Sequence, residues 1–282
     1  MRVLLVPNTA NPAAIAATCE LATWLVARDF EPVLATSDAQ GAGLPDFGVA
    51  PTELGSPVLT VALGGDGTIL KAVHLLGECE VPVLGVKFGR LGFLSGAGAD
   101  SMREAVATAL TGEARIERRA TLRAEVVMDG RVTGTYRALN EVVVSRGASA
   151  RVVAFDLSVD DHPVARMRAD GLIVATATGS TAYALSAGGP IVAPRFGGMV
   201  VVPVAPHTLN ARPLVTDVNE VISITLPDPS RSDACLIVDG EVTPCRRSIE
   251  RVTVTRGGHD VLLVKLDGRD FYETVSTEFF GG

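Results

Sequence analysis

What most limits the fold of this chain is a set of short apolar runs with almost nothing to offer water. Val3–Pro7 (VLLVP), Glu31–Thr36 (EPVLAT), Val58–Leu63 (VLTVAL) and Val81–Val86 (VPVLGV) are each five or six residues long. Runs this short and this apolar suit strands covered on both faces. Segments of helical spacing lie between them. Asn11-Pro12 opens one, with Ile15, Cys19, Ala22 and Leu25 on a common stripe, and Ile69–Leu76 forms another that stops at Gly77. Strands alternating with helices predict a Rossmann-like α/β domain with a parallel sheet over residues 1–100. Within it, Ser37–Pro57 is rich in Gly, Pro and Asp and reads as mostly loop.

The pattern then changes. Ser101–Leu110 reads as a helix with a capping box, Ser101 at the N-cap and Glu104 three residues on, ended by Gly112. Beyond it come short strands separated by turn signals. Ala120–Met128 and Val132–Ala138 flank Asp129-Gly130, and Ala154–Val159 and Val164–Arg168 flank Asp160-Asp161. Asn140–Ser145, Met199–Pro203, Val221–Leu226, Ala234–Val238, Arg251–Arg256 and Val261–Lys265 continue the series. Residues 101–261 are therefore expected to form a mostly antiparallel β domain, with 262–282 returning to the first domain.

Composition narrows the function. At 282 residues the chain has room for two domains, and with 47% hydrophobic and 20% charged residues it is not a disordered protein. The best candidate for a membrane segment, Met199–Ala205, is short and broken by Pro203, so no membrane partner is expected. The opening MRVLLVPNT lacks the apolar core of a signal peptide and reads as a strand. A net charge of −7 leaves no basic footprint for nucleic acid, so an anionic ligand has to be held by local donors. Cys19, Cys79, Cys235 and Cys245 show no C-x-x-C spacing and read as free thiols of a cytoplasmic protein.

Two segments carry the chemistry. In Leu63–Thr68 (LGGDGT), Gly64, Gly65 and Gly67 free the backbone for a tight turn near phosphate oxygens, and a helix beginning near Thr68 offers its N-terminal amides to an anion. Asp66 would be repelled by a phosphate, so it serves either to bind a metal or to accept a proton from an attacking hydroxyl. The loop is neither a Walker A sequence nor G-x-G-x-x-G, and its functional reading is favoured over a plain strand-to-helix turn. The second segment, Asp170–Pro190, packs four glycines, three threonines and two serines into 21 residues. Its order is strand (Leu172–Ala175), hydroxyl-bearing turn (Thr176–Thr181) and short helix (Ala182–Ala187), again a cradle for an anion or a nucleotide edge. Tyr183 suits either stacking on a ring or core packing. Asn140-Glu141, at a strand mouth, suits a clamp on vicinal ribose hydroxyls or, more simply, a solvated strand end.

LGGDGT, GRLGFL (Gly89–Leu94), LNEVVVSRG (Leu139–Gly147), DGLIVATATGSTAYALSAGGPI, APHTLNARPL (Ala205–Leu214) and VDG (Val238–Gly240) occur in that order. Together they resemble the signature blocks of the NAD kinase family. The Gly-Asp block is shared with diacylglycerol, sphingosine and phosphofructokinase-type kinases, whereas the long Gly/Ser/Thr block is far more specific. The resemblance implies ATP-dependent phosphorylation of the adenosine-ribose 2′-hydroxyl of NAD, giving NADP, with a divalent metal such as magnesium and the active site in the cleft between domains. It implies Asp66 as base and Gly64, Gly65, Gly67 and Thr68 as the phosphate and metal loop. It further implies Asn140, Glu141, Arg168, Asp170, Thr181, Ala182, Tyr183 and Ser186 as NAD-binding residues, in a homodimer or homotetramer whose sites are completed across subunits.

The chain departs from that pattern at Ala177, where the family often has Pro, at Glu241 for Gln, and at Lys87, where many members carry Asn. Lys87 is either a phosphate contact or a solvated cation. His207 lies in a family block but reads as a turn-stabilising residue, and His74 reads as structural. Asp160-Asp161 is a hairpin turn, not a metal site, and Arg166 is expected to share a strand face with Arg168. Two other functions fit part of the pattern: a kinase of the same superfamily with a lipid or polyol acceptor, and a nucleotide-binding sensor without turnover.

Overall fold

A computed structural model describes residues 1–89, 92–148, 151–244, 247–266 and 270–281. Arg90 and Leu91 of the Gly89–Leu94 block, and Cys245, lie outside the described residues. The chain forms two compact units, Met1–Arg118 with Val261–Gly282, and Arg119–Asp260. The first unit thus runs past the change of pattern near residue 100, because the helix Met102–Thr111 and most of the strand Arg115–Arg119 fall within it.

The sheet of the first unit has the order Gly48–Val49, Glu31–Ala35, Arg2–Pro7, Leu59–Leu63, Pro82–Lys87, Val261–Lys265, Arg115–Arg119, with Ala97–Gly98 also on Pro82–Lys87. The pairings from Gly48–Val49 through Val261–Lys265 are parallel. Val3, Leu4, Leu5 and Val6 are wholly buried, as a strand covered on both faces requires. The helix Pro12–Val26 starts where Asn11 caps it, its side chain accepting from the Ala13 N–H, with Pro12 in the first turn where no amide partner is needed.

Two local expectations change. Ser101 does not cap the helix Met102–Thr111. A 3-10 turn, Ala99–Ser101, precedes it and leaves Ser101 at φ −100° and ψ 8°, so its hydroxyl donates instead to the Gly98 carbonyl. Gly112 ends the helix in the left-handed region, φ 77°. A capping box does form at Asp270 and Glu273, opening the helix Phe271–Phe279. Ser37–Pro57 is not mostly loop at its start, since Thr36–Gly41 is a short helix.

The second unit consists of two six-stranded antiparallel sheets. One has the order Leu214–Thr216, Met199–Val204, Gly171–Ala175, Glu141–Arg146, Ala234–Val238, Glu241–Val242. The other has the order His162–Ala169, Val153–Val159, Ile222–Thr225, Arg251–Arg256, Leu122–Met128, Arg131–Ala138. Val142, Val144, Leu172, Val174 and Leu236 from the first pack with Phe155, Ile222, Val252 and Val254 from the second. Alternate residues Val143, Ile173 and Ala175 face the other way and are covered with Ala184. Buried on both faces, the two central strands hold their shared end rigidly. Asp129-Gly130 and Asp160-Asp161 take positive φ and turn tight hairpins. No described helix is long and apolar enough to cross a membrane.

Phe155 is wholly buried and the largest such side chain among the described residues. Phe155→Ala is expected to lower the stability of the second unit by about 3–5 kcal/mol, read as a shifted midpoint in urea unfolding followed by circular dichroism.

Candidate active site

In the first unit, the strand Leu59–Leu63 passes through Gly64 and Gly65 into the helix Asp66–Leu76. The helix begins at Asp66, two residues before the sequence pattern placed it. Gly64 is required by contact: a Cβ there would lie 2.2 Å from Thr68 Oγ1 and 2.9 Å from Asn8 Cβ. At Gly65 and Gly67 a Cβ would meet nothing within 4 Å, so these positions leave their backbone open to approach. Asp66 sits in the first helical turn, where amides have no intrahelical acceptor and an anion is favoured. Its Oδ1 is closed to solvent and has no hydrogen-bond partner among the described residues. Lys87 Nζ lies 3.9 Å from that oxygen.

In the second unit, Asn140 and Glu141 stand at the mouth of the strand Glu141–Arg146, and their neighbours hold them by backbone. The Asp239 carboxylate accepts N–H bonds from Leu139 (2.8 Å), Asn140 (2.7 Å) and Glu141 (3.1 Å). Asp239 and Gly240 have φ of 47° and 85°, the two-residue hairpin turn that aims this carboxylate back at the strand. From the other side, Thr176 Oγ1 donates to the Leu139 carbonyl at 2.6 Å, and the Thr176 N–H donates to that of Asn140 at 2.9 Å. Gly179 lies so close that a Cβ would fall 2.1 Å from the Asn140 oxygen.

The hydroxyl-rich segment divides its labour. Thr176, Thr178 and Ser180 are buried and serve the loop itself: Ser180 Oγ donates to the Ala177 carbonyl and accepts from the Val192 N–H, and Thr178 Oγ1 accepts from Arg119. Thr181, Ala182, Tyr183 and Ser186 are partly or largely exposed, and the Tyr183 N–H bonds to Glu141. Tyr183 is 44% exposed, which settles its alternatives against core packing. Ala177 is buried, so its difference from Pro removes no exposed group, and Glu241 is exposed in its hairpin.

Glu141 is a strongly perturbed acid. Its carboxyl is pushed up from 4.5 to about 7 by burial first and then by the nearby charge of Asp239, while the Tyr183 N–H bonding to it pulls the other way. Its Oε2 is buried with no hydrogen-bond partner among the described residues. Near neutral pH this group can therefore accept a hydrogen bond or donate one. Because the unfolded carboxyl loses its proton at lower pH than the folded one, Glu141 supports folding most below about pH 4.5. That support, about 3 kcal/mol, is lost as pH rises to about 7.

Arg168 and Asp170 are not part of this cluster. Asp170 precedes the strand Gly171–Ala175 and Thr176 follows it, which separates them by roughly 20 Å along the strand. Asp170 instead pairs with Arg146, Nε to Oδ1 3.3 Å, at the far end of Glu141–Arg146. Arg166 and Arg168 alternate on one exposed face of His162–Ala169, and Arg166 pairs with Asp156. The His207 N–H donates to the Arg168 carbonyl, in keeping with a role in its turn. The sequence reading placed Asp239 in a family block without a role. Its Asp-Gly dipeptide after an apolar strand was the available signal for the turn.

A Gly-Gly-Asp turn at a helix start in a parallel α/β unit, and a hydroxyl-bearing loop beside a buried acid in a β unit, are groups of the kind that a nucleotide-dependent phosphotransferase requires. The ATP-NAD kinase N-terminal domain matches residues 56–114, and the ATP-NAD kinase C-terminal domain matches residues 139–266. An NAD kinase of Geobacter metallireducens is 36% identical over 264 residues, covering 93% of this chain and 92% of its own. One from Moorella thermoacetica is 35% identical over 274 residues, covering 97% and 88%. Among solved structures, yeast NADH kinase complexed with NADH has a TM-score of 0.89 at 25% identity, covering 100% of this chain and 87% of that one. An NAD kinase from Archaeoglobus fulgidus in complex with ATP has a TM-score of 0.75 at 26% identity, covering 100% and 98%. The chain belongs to the NAD kinase family, enzymes that phosphorylate NAD to NADP with ATP.

Gly179→Ala is expected to displace the Asn140 backbone and weaken NAD binding at least tenfold while costing about 1–3 kcal/mol, measured by calorimetric titration and thermal melting. Asp239→Asn removes a negative charge beside Glu141. The Glu141 titration, followed by carboxyl carbon-13 NMR, is expected to move below about 7.

Proposed function

We propose that Asp66 is the general base of the kinase reaction and that Asn140, Glu141, Thr181, Ala182, Tyr183 and Ser186 hold NAD. The observation that carries the first assignment is the Asp66 side chain, set by the Gly64-Gly65 turn at the start of a helix and 41% exposed. A ribose 2′-hydroxyl can donate to the exposed part of that carboxylate. At Glu141, the buried Oε2 without a partner among the described residues supports a polar group of the dinucleotide there. The exposed Tyr183 face beside Glu141 supports stacking against a ring of the ligand.

In the step that follows, the 2′-hydroxyl proton moves to the Asp66 carboxylate as the ribose oxygen bonds to the γ-phosphorus of ATP. The bond from that phosphorus to the bridging oxygen breaks, and ADP leaves with the electron pair. A ribose hydroxyl is a poor nucleophile at neutral pH, and a positioned base is worth roughly 10²–10⁴-fold. The Gly64–Thr68 turn and the helix N-terminus following it orient the phosphates through backbone donors.

The described residues contain no group of three or more His, Cys, Asp or Glu suited to hold a metal by themselves. Magnesium carried by the phosphates of ATP would lie beside the Gly64–Thr68 turn, which leaves the Asp66 carboxylate to act as base. Bound there, the metal neutralises phosphate charge.

Arg168 and Asp170, remote from Glu141 in their own chain, support a homodimer or homotetramer in which they complete a neighbour's NAD site. The free thiols Cys19 and Cys79 support a cytoplasmic setting.

The assignments are tested by a coupled assay for NADP or NADPH formation, with NAD and NADH as acceptors and ATP and polyphosphate as donors. Product from at least one pairing is expected. Binding of NAD with no product from any pairing would mark a sensor, and the absence of NAD binding would mark a kinase with another acceptor. Asp66→Asn is expected to lower kcat by about 10²–10⁴-fold with NAD affinity preserved. Near-normal turnover would remove Asp66 from the role of base.

A further inference from the structure

We propose that Lys87 is a second catalytic residue, a fixed cation that engages the phosphoryl group as it passes to the hydroxyl held by Asp66. The inference rests on Asp66 as the base and adds to it a partner that the family pattern does not contain.

Lys87 ends the strand Pro82–Lys87, beside the strand that delivers Gly64 and Asp66. The register pairs Leu63 with Val86, and the Gly64 N–H donates to the Val86 carbonyl at 2.9 Å. Backbone pairing therefore fixes where the lysine starts. Its Nζ stands 3.9 Å from Asp66 Oδ1, too far for a hydrogen bond and close enough for strong attraction. An ordinary ion pair with room to move closes to hydrogen-bond length. Here Asp66 Oδ1 keeps no donor although Lys87 is its neighbour, so both groups retain capacity for a third party.

Gly92 shows that the space around the pair is already shaped. A Cβ at position 92 would lie 2.6 Å from Lys87 Nζ and 3.0 Å from both Asp66 oxygens. Any larger residue would force the two groups to move. The segment bearing Gly92 is itself fixed: the Gly92 N–H donates to Ser95 Oγ, and Lys265 Nζ donates to the Phe93 and Ser95 carbonyls at 3.0 and 3.1 Å. Phe93 stacks on Phe279 with ring centroids 5.9 Å apart. The two lysines thus differ in kind. Lys265 is used up by backbone oxygens, whereas Lys87, with its side chain 26% exposed, faces the acid of the reaction.

The chemistry requires such a group. Phosphoryl transfer spreads negative charge over the oxygens of the moving group, and positioned cations stabilise it. A chain of net charge −7 supplies no general positive field. A hydroxyl oxygen hydrogen-bonded at about 2.7 Å to the exposed part of the Asp66 carboxylate brings the phosphorus bonding to it within reach of the Lys87 ammonium.

The test uses steady-state kinetics of the full chain with NAD and ATP for Lys87→Met, Lys87→Gln, Lys87→Arg and Asp66→Asn, alongside thermal melting and NAD titration. Lys87→Met is expected to lower kcat by about 10²-fold with KM for NAD, NAD affinity and melting temperature close to those of the parent. Lys87→Arg is expected to recover about tenfold of that loss, because it restores the charge. The proposal is overturned if Lys87→Met keeps about half of the parental kcat or more, or if only KM for ATP rises, which marks ground-state binding alone. It is also overturned if activity follows melting temperature rather than charge across the three variants. Should the Met variant not fold, Gln and Arg decide the matter. If Asp66→Asn turns over normally the base assignment fails, whereas loss at Asp66 with none at Lys87 removes only the lysine.

Discussion

The grip of Asp239 on the backbone of Leu139, Asn140 and Glu141 is the interaction on which this strand mouth of the second unit depends. One carboxylate collects three amides that would otherwise end a strand without partners. The hairpin Asp239-Gly240 can deliver it only because both residues accept positive φ. Thr176 then binds the carbonyls of the same stretch from the opposite side. Amides and carbonyls are both satisfied, so the side chains of Asn140 and Glu141 are left for a ligand. A segment read as a strand end is in fact among the most tightly bound pieces of backbone in the unit.

That grip also sets the electrostatics. Placing the charge of Asp239 beside a buried Glu141 raises the latter to about 7, with burial as the larger cause. The same Asp239 carboxylate accepts three backbone N–H bonds. Asp66 lives under different rules, at a helix start with a lysine nearby and 41% of its side chain exposed. Two carboxylates in two environments are suited to different tasks, one to hold and one to take a proton.

Much of this was legible in residue order. The runs VLLVP and VLTVAL announced parallel strands because no face of them tolerates water, and Gly112 and Gly77 announced helix ends because left-handed or strained termini select glycine. The blocks around Asp66, Asn140-Glu141 and Tyr183 pointed to the chemistry as well. Other features were not legible. Ser101 has the residue type of a cap, yet a preceding 3-10 turn denies it the extended backbone a cap needs. Tyr183 had two readings until its exposure was known. Arg168 and Asp170, a few residues before Thr176, belong to the far end of a strand.

The sequence by itself determined the two kinds of architecture, their order along the chain, and the residue types available for phosphate and sugar chemistry. These follow from local causes: apolar period, turn preference and backbone freedom. Only the tertiary structure decided that Asp239 organises Asn140 and Glu141 from about a hundred residues away, that Glu141 is held near its point of ionisation, and that Lys87 stops short of Asp66 across a bare Gly92. Charge, burial and distance between residues remote in sequence are properties of packing, and they exist only once the strands have been laid side by side.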